Sequence, residues 1–295
     1  MNPPMLYRDF ATQAQIDAQY DPTVGLEDPG QYARHFIERS REVRTQGPAA
    51  LQVPFGPTRA ETLDIFPAAQ PGAPVFVFIH GGYWRAFGAA DFSCVAAGLH
   101  ARGITTVVVN YALAPQVSID EITRQARASL AWVLRNIEQH GGDPARVAIG
   151  GHSAGAHLAA MVLQTRWAED YGLPADPFAA AVLVSGIYDI APLRYSFLQP
   201  KIQLDDGVIR RNSPLFGVRP CPTPALIAWG EAESAEFERQ SAAFDTAWRQ
   251  AGNPSTLMPI AQANHFSAIF GFEQPDSPLC DWIAARLDAA RPQSS

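Results

Sequence analysis

Runs of strand length recur at residues 75–79, 104–109, 147–149, 181–184, 225–229 and 256–260, and several are apolar on successive residues rather than on alternate ones. A strand reads this way when both its faces are buried, as in a parallel sheet covered by helices. Helical patterns lie between these runs. The clearest starts at Ile119 and continues to about His140, with Ile122, Ala126, Leu130, Val133, Leu134 and Ile137 on one stripe. Ser118 and Glu121 have the spacing of a capping box at its start, and Gly141-Gly142 ends it. Further helices are expected from about Ala154, over 235–251 and after Ser277. Two β-like segments, 51–55 and 62–66, come earlier and turn at Gly56-Pro57.

Strands alternating with helices imply βαβ units. The fold class expected is α/β, with a mostly parallel central sheet, helices on both faces and an N-terminal antiparallel edge. No repeat or linker divides the chain, so a single domain is read over 1–295. The stretch 187–219 between two strands is long, aromatic and irregular, and connections of that kind commonly act as lids.

A net charge of −7 argues against nucleic acid as a partner. Arg34, Arg39, Arg41 and Arg44 alternate with Glu38 and Glu42, the pattern of a solvated helix face. Residues 1–10 lack the apolar core of a leader, and no run approaches the roughly 18 residues that span a bilayer, so no membrane partner is expected. Cys94, Cys221 and Cys280 are far apart and odd in number, which predicts buried free thiols and a cytoplasmic setting. His152 and His157 are five apart and do not share a helix face as a zinc pair would. Neither a metal nor an organic cofactor is implied. The partner expected is a small acyl substrate; self-association into a homodimer is left open.

The chemistry centres on Gly151-His152-Ser153-Ala154-Gly155, a G-x-S-x-G turn between a strand and a helix. Such an elbow holds its serine in a strained conformation, with small residues at either side so that strand and helix can approach closely. The hydroxyl then sits at a helix N-terminus, where partial positive charge favours a developing anion. A phosphate loop is the rival, but G-x-G-x-x-G and G-K-[ST] are both missing. His80-Gly81-Gly82-Tyr83-Trp84 follows the strand at 75–79. A glycine pair there lets backbone amides of Gly82 and Tyr83, with Gly81 as a third candidate, join that of Ala154 in an oxyanion hole. For the general base, His265 is the one histidine beyond His157 and follows the last strand. The acid that orients it is expected three residues past Gly230, at Glu233; Glu231, Glu236 and Asp189 are the alternatives.

Taken together these segments resemble the kynurenine formamidase (arylformamidase) family of α/β-hydrolases. The likeness rests on His80–Trp84 (HGGYW) and on residues 151–161 (GHSAGAHLAAM). It extends to 184–189 (VSGIYD), 211–214 (RNSP), 236–241 (EFERQS) and Asp17-Ala18-Gln19-Tyr20, so it covers nearly the whole chain. The resemblance implies deformylation of N-formylkynurenine, a step of tryptophan breakdown, with Ser153 as nucleophile and His265 as base. Glu233 stands where the family usually has Asp, one methylene longer. Related sequences with the same motifs are carboxylesterases for small aryl or short-chain esters, a second reading. A third is a non-catalytic ligand receptor; the gibberellin receptor resembles this fold but lacks the histidine that His265 supplies here. Tyr83, Trp84, Tyr188 and Phe266 are expected as an aromatic wall for an aryl group. Arg85 and Arg194 are candidate cations for a substrate carboxylate.

Overall fold

The computed structural model describes residues 5–290, so the outermost residues of the expected 1–295 domain, and the first four of the stretch read for a leader, lie outside the described residues. Eight strands form one sheet: β1 (Ala50–Pro54), β2 (Thr62–Phe66), β3 (Ala73–Ile79), β4 (Thr105–Val109), β5 (Gly142–His152), β6 (Ala180–Val184), β7 (Ala225–Gly230) and β8 (Ser255–Ile260). Their order is β1-β2-β4-β3-β5-β6-β7-β8. The β1/β2 and β2/β4 pairs are antiparallel and the remaining five are parallel. The expected antiparallel N-terminal edge is therefore present.

Among the described residues there are ten α-helices: α1 (Gln13–Tyr20), α2 (Gly30–Gln46), α3 (Ala96–Ala101), α4 (Ile119–Asn136), α5 (Ala154–Leu163), α6 (Trp167–Tyr171), α7 (Gln199–Ile202), α8 (Asp206–Arg211), α9 (Ala235–Gln250) and α10 (Pro278–Ala289). The pleat sends alternate residues of each strand into two cores. Val75, Val77, Ile79, Ile149 and Leu183 pack with Leu130 of α4, Leu158 of α5 and Phe244 of α9. Phe76, Phe78, Ala148 and Val182 pack with Phe36 of α2, Leu99 of α3 and Ile283 of α10. Apolar residues on both faces are thus explained by a helical layer on each side of the sheet.

The Ser118 hydroxyl accepts the Glu121 amide at 3.3 Å and starts α4; Gly141 ends the following 3-10 turn at φ +77°. β5 is much longer than 147–149. Its first half contains the charged Asp143 and Arg146 and the strand-disfavouring Pro144, which hide the pairing of Gly142 with Ala73. α2 is only partly the solvated face expected: Arg44 turns inward to pair with the buried Asp64, and Phe36 is in the core. Among the described residues no helix is long and apolar enough to cross a membrane.

The 187–219 connection contains α7, α8 and two 3-10 turns. It is tied down at Asn212, whose carbonyl meets His157 Nε2 at 2.6 Å and whose amide group donates to Asp120 Oδ1 at 2.7 Å. The Arg211–Pro214 motif is thereby explained as an anchor.

Candidate active site

β3 is the strand at which the sheet order reverses, since the chain passes from it to β4 on one side and then to β5 on the other. In open α/β sheets ligands bind outside the carboxyl ends of strands at such a point. The residues singled out in the sequence follow β3 (Gly81–Tyr83), β5 (Ser153), β7 (Glu233) and β8 (His265).

Ser153 adopts φ 56°, ψ −120°, the strained backbone expected of an elbow. Two glycines permit it. A methyl on Gly155 would run into the Ile79 carbonyl, and one on Gly151 into the Gly155 backbone. The Ser153 amide donates to Val184 O at 2.8 Å, which fixes the elbow to β6.

The oxyanion loop is held as firmly. Gly82 has φ +106° and its carbonyl accepts from the amides of both Arg85 and Ala86, at 3.0 and 3.1 Å. His80 stacks on Tyr111 with ring centroids 4.2 Å apart, and the Tyr111 hydroxyl donates to His80 O at 2.8 Å. A Cβ added at Gly81 would lie 3.1 Å from Ser153 Cβ, so this loop passes directly beside Ser153. Among the described residues the amides of Gly82, Tyr83 and Ala154 make no hydrogen bond to the protein. They are the donors a developing oxyanion needs.

His265 Nδ1 lies 2.6 Å from Glu233 Oε2, and both side chains are almost fully buried. Donation from Nδ1–H to a carboxylate leaves Nε2 as the lone-pair nitrogen, the form a general base requires. Glu233 Oε1 accepts from the Gly230 amide at 2.7 Å and the Ser185 hydroxyl at 2.5 Å. The other candidate acids have different partners. Asp189 accepts from the Tyr7 hydroxyl at 2.5 Å, Glu236 pairs with Arg239 and Tyr20, and Glu231 is exposed.

Ser185 and His152 were not foreseen in these roles. Ser185, at φ 52° just past β6, holds the Glu233 carboxylate. His152 Nε2 meets His265 O at 2.8 Å and ties the base's loop to the elbow. Burial holds the His152 imidazole well below its ordinary range, with the nearby His265 acting in the same direction. Two sequence signals were available: a serine directly after the strand beside the acid's strand, and a histidine inside the elbow motif.

Ser153 and His265 open into a cavity of about 340 Å³, lined by aromatic and apolar groups that include Tyr83, Phe87, Phe197 and Phe266. Tyr83 and Phe266 thus stand where expected, but Trp84 and Tyr188 do not. Trp84 is fully buried, edge-on to His157 at 4.9 Å, and anchors the oxyanion loop from beneath. Tyr188 is fully buried and stacked on Phe244 at 4.2 Å, under α9. The N-terminal segment contributes instead: Asp21, Pro22, Pro29 and Phe36 line the same cavity. This strap is held by Tyr20, whose hydroxyl donates to Glu236 Oε2 at 2.6 Å, and by Tyr32, stacked on Phe266. Among the described residues no group of three metal-ligating side chains occurs, and Cys94, Cys221 and Cys280 are buried free thiols.

A strained serine elbow, three unspent amides and a carboxylate-bound imidazole at the strand ends define an acyl-transfer hydrolase. The α/β-hydrolase fold family matches residues 76–268, and the chain belongs to that family. Within it, the chain is a kynurenine formamidase-like member. It is 32% identical to the kynurenine formamidase of Danio rerio over 239 residues, 79% of this chain and 78% of the relative. It is also 31% identical to the esterase LipQ of Mycobacterium tuberculosis over 247 residues, 76% of this chain and 56% of that one. A crystal structure from Silicibacter sp. TM1040, provisionally classed as a thioesterase, superposes with a TM-score of 0.82 at 25% identity. That match covers 91% of this chain and 98% of the other.

Proposed function

We propose that this protein is an arylformamidase that hydrolyses N-formylkynurenine to kynurenine and formate in the cytoplasm. The observation that carries the reading is the Glu233–His265 pair behind Ser153 at an aromatic cavity. The similarity to kynurenine formamidase supports the choice of substrate.

Ser153 Oγ attacks the formyl carbon while His265 Nε2 takes its proton, and the C=O electron pair moves onto oxygen, facing the amides of Gly82, Tyr83 and Ala154. Collapse breaks the C–N bond, and His265 returns the proton to the departing aryl amine. Water, deprotonated by His265, then attacks the formyl ester; formate leaves and Ser153 regains its proton. A formyl carbon carries only hydrogen besides its heteroatoms, so attack is unhindered. The aromatic lining suits the aryl leaving group, with aromatic pairing contributing about 0.5–1.5 kcal/mol beyond area burial.

The test compares kcat/KM for N-formylkynurenine with that for phenyl acetate. Undetectable deformylation beside a kcat/KM above about 10⁴ M⁻¹s⁻¹ on the ester would make the protein a carboxylesterase, the reading that similarity to esterase LipQ favours. Under either reading, Ser153→Ala should fold normally and lose kcat by a factor on the order of 10⁶. A variant retaining a tenth of the activity would remove Ser153 from the mechanism.

A further inference from the structure

Besides the catalytic histidine and His152 in its wall, the cavity beside Ser153 is lined by two groups of opposite charge, Arg85 and Asp21. We propose that they are the two poles of a subsite for an α-amino acid, Arg85 pairing with its carboxylate and Asp21 with its ammonium group. The proposal rests on the arylformamidase reading above and names the part of the substrate that reading leaves unplaced.

Neither group is engaged elsewhere in a way that would prevent this. Among the described residues neither Arg85 nor Asp21 forms an ion pair, whereas Arg194, the other candidate cation, pairs with Asp206. Asp21 Oδ1 accepts from the Thr23 amide at 2.9 Å and the Thr23 hydroxyl at 2.6 Å, which leaves Oδ2 for a ligand.

Both are carried on positioned backbone. The Arg85 amide donates to Gly82 O at 3.0 Å, so its guanidinium projects from the same turn that supplies the oxyanion amides. Asp21 caps α1, its amide donating to Asp17 O at 2.8 Å. Tyr83 joins the two elements: its hydroxyl donates to Tyr20 O, one residue before Asp21. The Tyr83 phenol lies in the field of both charges; burial raises its pKa most, Asp21 raises it further and Arg85 opposes. Trp84 takes the opposite side of the loop into the core, which leaves Tyr83 and Arg85 on the cavity side.

The chemistry also discriminates. A guanidinium offers a planar fork matched to a carboxylate, and Asp21 offers an acceptor for an ammonium group. A neutral aryl formamide or a simple ester would leave both charges unused. Because Arg85 is exposed to solvent at the cavity mouth, its pairing should be worth about tenfold to a hundredfold in affinity rather than more.

The experiment is calorimetric binding of three probes to the full chain, which needs no turnover. L-Kynurenine carries both charges, kynuramine only the ammonium group on the side chain, and 2-aminoacetophenone neither. The expected order is L-kynurenine tightest, by at least about tenfold over 2-aminoacetophenone, with kynuramine between. Arg85→Gln should abolish the advantage of L-kynurenine over kynuramine, and Arg85→Lys should restore part of it. Asp21→Asn should abolish the advantage of kynuramine over 2-aminoacetophenone. Equal affinities for L-kynurenine and 2-aminoacetophenone, or an advantage of L-kynurenine over kynuramine that survives Arg85→Gln, would overturn the subsite even if deformylation is observed. Selective binding that responds to Arg85, together with no deformylation, would keep the subsite and overturn the arylformamidase reading.

Discussion

The Glu233 carboxylate accepts from three donors, the Gly230 amide, the Ser185 hydroxyl and His265 Nδ1, at 2.5–2.7 Å. The extra methylene of Glu233, relative to an aspartate, is taken up by anchoring one oxygen to the Gly230 amide and to Ser185 just past β6. Glu233→Gln would place an NH₂ against one of these donors and favour the wrong His265 tautomer, so kcat should fall by roughly 10²–10⁴ with little change in fold. Asp189→Asn should be much milder, because Asp189 serves Tyr7 rather than His265. If steady-state kinetics showed Asp189→Asn to be the crippling change, the acid would belong to the connection after β6. Chain order and motif single out Ser153, Glu233 and His265 without knowledge of any neighbour, and the fold brings Glu233 against His265. The places of Trp84 and Tyr188 were not legible in the sequence, since an aromatic residue reads the same whether it lines a cavity or supports a loop from below.

Close approach of β3, β5 and α5 builds the elbow, and that approach depends on Gly155 having no side chain. A methyl there would meet the Ile79 carbonyl, so Gly155→Ala should destabilise the protein by about 1–3 kcal/mol through overpacking. Gly47, with open space around it and an extended backbone, is the control: Gly47→Ala should leave the melting temperature nearly unchanged. Equal melting temperatures for the two variants would contradict this account of the elbow. The parallel strands and helices α4, α5, α9 and α10 were expected from the sequence pattern, and the antiparallel edge from two β-like segments turning at Gly56-Pro57. The strap formed by α1 and the start of α2 was not, because α1 buries only Ile16 and Tyr20 and shows no apolar stripe. Its sequence signal was a local one, the Thr12 and Gln15 capping box.

Besides His265, three imidazoles are buried among the described residues: His80, His152 and His157. Burial holds His80 and His157 down at about 4 and His152 well below its ordinary range. An unfolded chain protonates its histidines near pH 6.5, so below that point the unfolded state binds more protons than the folded one. Stability is therefore full above pH 6.5 and declines as pH falls toward 4, by up to about 1.4 kcal/mol per pH unit for each histidine. Thermal unfolding between pH 7 and 5, where most carboxylates stay ionised, should show a steadily falling melting temperature. A flat profile there would mean that these imidazoles are not kept neutral by burial. The sequence by itself determined the sheet and the strand–turn–helix elbow, and it singled out the Gly81-Gly82 loop, Ser153, Glu233 and His265 in that chain order, because these depend on local spacing and on chain direction. Only the tertiary structure decided which charges and rings line the cavity beside Ser153. Asp21, Arg85, Phe197 and His265 meet at one cavity through contacts such as that of Tyr20 with Glu236, 216 residues apart, and burial is a property of such distant neighbours rather than of any residue alone.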